Sequence, residues 1–375
     1  MRVLLTGGGT SGHVNPALAI ADIIKAHDPS AEIAYVGTPT GIEKKLVEKE
    51  GYEYFPIKIQ GISRSLSPKN IKTAYFIMTA PAKAKKIVKS FRPDVVIGTG
   101  GYVCWPTLKA AAELGIPTVV HESNSIPGLA VRKLDGKVDL ILTNFEESAQ
   151  KLKHKERVVH VGNPVRFSRA DMTRAEARAA LGIPDSIKFV ILSFGGSLGA
   201  EGLNLAAIDV MRGFVEKNAD VAHFHAGGKI YYSDAIERFE SFGLKKSSRL
   251  NLNEYIYDMK TYMSAADLII CRAGAMTLTE LAMMEKPAIL IPSPNVTDDH
   301  QYKNAKVLGD RGAAVVIRES ELDFERINSV VEEIYKDEDL RCRMRQEVSK
   351  LANPNVSEEI YQKICELVEN KSKVK

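Results

Sequence analysis

Short apolar runs alternate with longer segments whose apolar residues recur at helical spacing. Residues 3–5, 32–36, 95–97, 118–120 and 140–142 read as buried strands in the first half, and Phe189-Val190-Ile191-Leu192 opens a similar series in the second. Val14, Ala17, Leu18, Ala21 and Ile24 fall on one face of a helix after the first strand. This alternation predicts an α/β fold with mostly parallel sheets. An internal echo points to duplicated architecture. Asp94-Val-Val-Ile, a Gly-containing loop, a helix, Pro117 and Thr118-Val-Val recur as Asp267-Leu-Ile-Ile, a Gly-containing loop, a helix, Pro287 and Ala288-Ile-Leu-Ile. Both read as βαβ units in corresponding places of two domains.

The linker is expected at Gly162-Asn163-Pro164-Val165, where a strand signal gives way to a polar, arginine-rich stretch. The expected organisation is a first Rossmann-like domain over 1–163, a second over 164–340, and helices over 341–375 that return to the first. The last helix takes Ser357 as N-cap and carries Ile360, Ile364, Leu367 and Val368 on one face, with a frayed lysine-rich tail after it.

Two glycine loops share one internal spacing. Gly8-Gly9-x-x-Gly12 follows the first strand and Gly195-Gly196-x-x-Gly199 follows Phe189-Val190-Ile191-Leu192. A strand feeding such a loop and then a helix aims bare backbone N–H groups at an anion. Two of them, half a chain apart, point to two anion-binding domains facing one cleft. Gly7-x-Gly9-x-x-Gly12 also fits the dinucleotide fingerprint, which requires an acidic residue at the end of the second strand. That strand ends in Gly37-Thr38 and Glu32 lies at its other end, so NAD(P) is disfavoured.

A net charge of +4 argues against a general nucleic-acid binder. The four cysteines, Cys104, Cys271, Cys342 and Cys365, form no CxxC pair and fit a reducing compartment. No metal-ligand cluster is written in the chain; His223 and His225 share a strand face and read as structural histidines. The chain enters a strand almost at once, which leaves no room for a signal peptide. One stretch does depart from the average. Residues 54–93 contain no acid but nine cations, Lys58, Arg64, Lys69, Lys72, Lys83, Lys85, Lys86, Lys89 and Arg92, around the apolar run Ala74-Tyr75-Phe76-Ile77-Met78. The run is too short to span a bilayer, so the stretch is either a membrane-surface patch or a helix whose apolar side lies in the core.

Three places could carry chemistry. His13 follows the last glycine of the first loop at the opening of a helix, where the dipole favours the neutral imidazole; it is either a base or a residue that closes the turn. His121-Glu122-Ser123-Asn124 follows a strand's carboxyl end, where Glu122 or Asn124 could meet a ligand or cap the turn. In Cys271-Arg272-Ala273-Gly274-Ala275-Met276-Thr277-Leu278-Thr279-Glu280, Thr277-x-x-Glu280 reads as a capping box, and Glu280 could instead accept both hydroxyls of a ribose.

These residues assemble into a family pattern: Gly8-Gly9-Thr10-Ser11-Gly12-His13, Gly100-Gly101-Tyr102, His121-Glu122-Ser123-Asn124, Pro127-Gly128-Leu129, Gly162-Asn163-Pro164-Val165-Arg166, Gly195-Gly196-Ser197-Leu198-Gly199-Ala200, Cys271-Arg272-x-Gly274-Ala275 and His300-Gln301. To about residue 320 the chain resembles the MurG family of peptidoglycan N-acetylglucosaminyltransferases. The resemblance implies a GT-B hexosyltransferase with two Rossmann-like domains and no cofactor or metal. It also implies that GlcNAc moves with inversion from UDP-GlcNAc to the 4-hydroxyl of the MurNAc of lipid I, giving lipid II. Donor contacts carried over by position are Thr10, Ser11, Gly12, Asn124, Arg166, Ser197, Ile256, Ala275, Met276, Thr277, Leu278, Thr279, Glu280 and Gln301. Ile256 would hold the uracil, Glu280 the ribose and Ser197 with its loop the diphosphate, with His13 or Glu122 as base. Ser11 and Ser123 depart from the family's usual glycine and glutamine, and Ser11 puts a side chain where backbone approaches closely.

The implied partners are UDP-GlcNAc, lipid I, an anionic membrane surface on the cytoplasmic side that holds the protein peripherally, and other cell-wall synthesis proteins, with no nucleic acid. The alternatives are another GT-B enzyme, such as a transferase for a different lipid acceptor or a UDP-GlcNAc epimerase, or a non-catalytic nucleotide-sugar-binding subunit.

Overall fold

The computed structural model describes residues 1–61, 69–166, 171–296 and 299–373. Two compact units make up the chain, one of Met1–Arg166 with Asn353–Lys375 and one of Phe167–Ala352.

The first unit holds seven strands, β1 (Arg2–Thr6), β2 (Glu32–Gly37), β3 (Glu53–Pro56), β4 (Val95–Gly98), β5 (Thr118–Glu122), β6 (Leu140–Thr143) and β7 (Val158–His160). Its helices are α1 (Ser11–His27), α2 (Ile42–Lys49), α3 (Lys69–Phe91), α4 (Cys104–Glu113), α5 (Leu129–Leu134) and α6 (Glu146–Gln150). The strands lie in the order β3-β2-β1-β4-β5-β6-β7 and every pairing is parallel. Alternation along β1 serves both faces: Val3 and Leu5 join the layer built on α1, while Leu4 joins the layer that includes Ala80 and Ala84 of α3 and Leu108 of α4.

The second unit repeats this plan with six strands, β8 (Phe189–Phe194), β9 (Val221–Ala226), β10 (Leu250–Asn253), β11 (Leu268–Cys271), β12 (Ala288–Leu290) and β13 (Ala314–Val316). Its helices are α7 (Arg174–Ala180), α8 (Glu201–Val210), α9 (Tyr232–Ser241), α10 (Met259–Ala265), α11 (Ala275–Met283), α12 (His300–Gly309), α13 (Phe324–Lys336) and α14 (Glu338–Ser349). The order β10-β9-β8-β11-β12-β13 matches the first six positions of the other sheet. The echo seen in the sequence has a shared job. Asp94 accepts the Arg2 N–H at 2.7 Å, and Asp267 accepts the Val190 N–H at 2.7 Å, so each ties the fourth strand of its unit to the start of the first.

The return to the first unit starts later than expected. Val348 and Met344 of α14 pack in the second unit's core, and α15 (Val356–Lys373) is the helix that comes back. Val356, Ile360 and Ile364 are buried against the α1 layer, with Leu367 and Val368 beside them. Each fully buried isoleucine contributes about 1.5–3 kcal/mol. The helix begins one residue before Ser357, and it continues through the lysine-rich segment, where Lys371 reaches Asp139 at 2.7 Å. His27 closes the other end: its ring stacks on Tyr361 at 4.2 Å, and its nitrogens meet the Ile23 carbonyl and the Glu358 carboxylate, each at 2.9 Å.

Candidate active site

Each sheet changes its direction of growth beside its first strand, between β1 and β4 in one unit and between β8 and β11 in the other. Ligands of open α/β sheets sit outside the carboxyl ends of strands at such a point. The first glycine loop leaves β1 and the second leaves β8.

In the first unit two glycine turns interlock around His13. A side chain on Gly101 (φ +79°) would start 2.1 Å from the Gly8 carbonyl oxygen, and one on Gly100 (φ +108°) would start 2.7 Å from His13 Nδ1. Only glycine fits either place. His13 stands in the first turn of α1, which carries no acidic residue, with Nδ1 3.2 Å from the Thr99 carbonyl. A carbonyl only accepts, so the neutral ring keeps its proton on Nδ1 and its lone pair on Nε2, the arrangement a base requires. Thr10 and Gly12 are exposed and Ser11 half-buried, with the Thr10 hydroxyl making no cap bond.

Glu122 is 4% exposed at the end of β5. One carboxylate oxygen accepts from the Asn124 backbone N–H at 2.9 Å and its side-chain amide at 3.1 Å, and the other accepts from the Gly128 N–H at 2.7 Å. Burial raises its pKa and these bonds oppose the rise. The carboxylate therefore laces the loop between β5 and α5 and places Asn124. His121 is buried and neutral, its pKa lowered by burial to about 4, and its Nε2 donates to the Gly162 carbonyl at 2.9 Å. Arg166 does not stand open to a ligand: it pairs with Asp22 at 2.5 Å and Glu50 at 3.1 Å.

One buried group escaped the sequence reading. Glu43 of α2 is 0% exposed and lies under the first glycine loop. Its carboxylate accepts from the Thr38 N–H at 3.0 Å, the Thr38 hydroxyl at 2.6 Å and, at a long 3.4 Å, the Gly9 N–H. It occupies the acidic place at the end of β2 that Gly37-Thr38 leaves empty in the sequence, but from inside, where no ribose reaches it.

In the second unit Gly199 (φ +87°) leaves no room for a side chain, which would start 2.1 Å from the Gly227 carbonyl oxygen. The carbonyls of Ser197 and Leu198 accept from Lys229 and Ile230 N–H at 3.2 and 3.0 Å. The N–H groups of Gly196, Ser197 and Leu198 meet no protein acceptor among the described residues. Beneath runs a buried neutral chain. His223 Nε2 lies 2.7 Å from Ser193 Oγ, which lies 2.7 Å from His225 Nδ1; His225 Nε2 lies 3.0 Å from Asn204 Oδ1, and Asn204 Nδ2 donates to the Gly227 carbonyl at 2.9 Å. Burial lowers the His225 pKa to about 4, so both histidines hold the loop as uncharged groups.

The helix after β11 is capped by Gly274, so Thr277 lies inside the first turn and the expected Thr277–Glu280 capping box is absent. A complete capping box occurs instead at Thr173 and Glu176. Glu280 thus has no capping duty, its carboxylate has no partner among the described residues, and burial raises its pKa to about 7. Met276, Thr277 and Thr279 are half-buried beside it, whereas Ala275, Leu278 and Ile256 are 6%, 2% and 5% exposed. Leu278 and Ile256 belong to the core, so mainly their backbone is open to a ligand. Gln301 opens α12 and accepts the Ser293 N–H through Oε1 at 2.9 Å. No group of three potential metal ligands occurs among the described residues.

The glycosyltransferase family 28 N-terminal domain matches residues 3–143, and the family 28 C-terminal domain matches residues 190–360. The chain belongs to glycosyltransferase family 28. Two family 28 relatives bear the name UDP-N-acetylglucosamine–N-acetylmuramyl-(pentapeptide) pyrophosphoryl-undecaprenol N-acetylglucosamine transferase. The one from Acetivibrio thermocellus is 39% identical over 374 residues, 99% of this chain and 100% of its own. That from Leuconostoc citreum is 39% identical over 371 residues, again 99% and 100%. The crystal structure of Acinetobacter baumannii MurG superposes with a TM-score of 0.73 at 29% identity, covering 97% of this chain and 99% of that one. A UDP-GlcNAc 2-epimerase from Neisseria meningitidis, bound to UDP-GlcNAc, shares the fold at 14% identity, with a TM-score of 0.68 and coverage of 98% and 100%. The family resemblance carried by the sequence motifs is borne out over the whole chain.

Proposed function

We propose that this family 28 enzyme transfers GlcNAc from UDP-GlcNAc to the 4-hydroxyl of the MurNAc of lipid I, with inversion. The observation that carries the reading is the open row of N–H groups at Gly196, Ser197 and Leu198, above a floor without charge. The diphosphate rests there, with the N-terminus of α11 adding its dipole and Glu280 accepting the ribose hydroxyls. Ala275 to Glu280, the backbone at Ile256 and Gln301 complete the donor set of the second unit. Thr10, Ser11, Gly12 and Asn124 contribute from the first, and Arg166 joins them on release from Asp22 and Glu50.

His13 Nε2 takes the proton from the acceptor oxygen as that oxygen forms a bond to the anomeric carbon. The bond from that carbon to the phosphate oxygen breaks, and its electron pair leaves with UDP. Loop N–H groups and helix dipole stabilise the growing negative charge. Glu122 serves this step by holding Asn124 and its loop, because each of its oxygens is already engaged.

The acceptor's lipid places the enzyme on an anionic membrane surface, peripherally and on the cytoplasmic side. Tyr75 and Met78 of α3 are 63% and 81% exposed, and Lys83, Lys86 and Lys89 of the same helix are exposed. Arg64 and the side chains of Lys69 and Lys72 lie outside the described residues. Among the described residues no helix is long and apolar enough to cross a membrane. Other cell-wall synthesis proteins are candidate partners on that surface. Replacing Lys83, Lys86 and Lys89 by glutamate should release the protein from anionic vesicles, and undiminished binding contradicts this placement. The reaction is tested by UDP release from UDP-GlcNAc with and without a soluble lipid I analogue. Release should depend on the acceptor, and release indifferent to it counts against transfer.

A further inference from the structure

The two glycine loops are spelled alike, yet a carboxylate is built into one. Glu43 lies in a cage of close backbone: a side chain on Gly8 would start 2.7 Å from its Oε1, one on Gly41 2.2 Å from it, and one on Gly37 2.7 Å from its Cγ. No lysine or arginine among the described residues pairs with it, so three donors and the first turn of α2 are its only compensation. Around it stand the phenols of Tyr35, Tyr54 and Tyr102, held neutral by burial and further by the Glu43 charge. Tyr35 donates to the Gly7 carbonyl at 2.9 Å and Tyr54 to the Thr38 carbonyl at 2.6 Å, so the cage is tied to the start of the loop on one side and to the end of β2 on the other.

We propose that Glu43 is the resident anion of the first glycine loop and a specificity-determining residue. Its carboxylate occupies from within the place that a bound phosphate would take, so the loop accepts hydroxyl groups and refuses the donor's diphosphate. The sugar nucleotide then binds in one orientation only, with its diphosphate on the second loop. This inference rests on the assignment of the second loop to the diphosphate. Removing the charge should convert the first loop into the anion site that its glycines and its helix otherwise specify.

The test uses full-length protein saturated with UDP, so that the second loop is filled, and titrates inorganic pyrophosphate by calorimetry. The wild type should show no further binding. Glu43→Gln, which keeps an oxygen for Thr38, and Glu43→Ala should bind pyrophosphate at least about tenfold more tightly than the wild type, with UDP affinity changed by less than about threefold. Folded variants that gain no pyrophosphate site, or that lose UDP affinity instead, overturn the proposal. Should neither variant fold, the carboxyl resonance of Glu43 in carbon-13-labelled wild type decides: an ionised group at neutral pH is required, and a protonated one overturns it. A wild type that binds no UDP contradicts the diphosphate assignment instead, and the two failures are thereby distinct.

Discussion

The loop at 8–12 rests on a buried carboxylate, whereas the loop at 195–199 rests on a hydroxyl, two neutral imidazoles and an amide. Both follow the first strand of a parallel sheet with one strand order, and both open a helix. Gly9 and Gly196 make the same turn, at φ +89° and +92°, although α1 starts before Gly12 and α8 only after Gly199 (φ +87°). What differs is the charge beneath. A loop of this kind attracts an anion from solvent only when the fold has not already provided one, so the two copies of one motif are free to specialise. On the function we propose, the second receives the diphosphate, and the first turns its helix start toward proton transfer by His13.

The largest effects come from filling each loop in turn. Gly199→Ala puts a methyl 2.1 Å from the Gly227 carbonyl oxygen at a positive φ, and Gly101→Ala does the same to the Gly8 carbonyl oxygen. The strain is on the order of 1–3 kcal/mol at each. In a UDP titration Gly199→Ala should lose most binding, whereas Gly101→Ala should keep UDP affinity and lose turnover. Equal losses of UDP affinity would erase the distinction between the loops.

Next in size is the base. His13→Ala should lower kcat by about 10²–10⁴ with little change in donor affinity. Glu122→Gln replaces an acceptor with an amide facing an N–H and should destabilise the fold by about 1–3 kcal/mol, seen as a lower Tm. If Glu122→Gln keeps the wild-type Tm while losing turnover as fully as His13→Ala, the base has been assigned to the wrong residue.

A smaller effect separates the loops by pH. Glu280 has its pKa raised by burial to about 7, and only its ionised form accepts two ribose hydroxyls. UDP affinity should therefore rise by up to about tenfold between about pH 6 and pH 8, and Glu280→Gln should flatten the rise. An identical pH profile in the variant removes Glu280 from the donor site.

The smallest effect lies away from both loops. The Ile23 carbonyl and then Glu358 raise the His27 pKa above its usual value. A charge stabilised in the fold contributes fully below about pH 6.5 and is lost as pH rises through the folded pKa. His27→Gln should thus cost about 0.3–1 kcal/mol in acid and less at alkaline pH, read as Tm. A deficit that grows with pH contradicts the clamp of α15 on α1.

The strand–helix alternation and the returning helix were legible because they follow from apolar spacing. The stripe at Ile360, Ile364, Leu367 and Val368 needed a partner, and α1 supplies it. The glycine loop after β8 was legible too, since its glycines follow a strand directly. Three features were not: two depend on a contact across the fold, and the third on where a helix starts. Glu43 sits on a short helix 34 residues from Gly9, and its burial comes from three glycines that only the folded sheet brings together. Gly37-Thr38 at the end of β2, with Glu43 five residues beyond Thr38, was the available clue. Arg166 looks free in sequence because Asp22 and Glu50 are far from it along the chain. Thr277-x-x-Glu280 has the spacing of a capping box, but Gly274 starts the helix three residues earlier and puts both side chains beyond the cap.

Backbone amide shifts recorded while UDP is added to nitrogen-15-labelled protein test the inequality of the loops most directly. The amides of Gly196, Ser197 and Leu198 should move strongly as they take up the diphosphate, while those of Gly8 and Gly9, facing Glu43, stay in place. Strong shifts at Gly8 and Gly9, with Ser197 and Leu198 unmoved, would contradict the account.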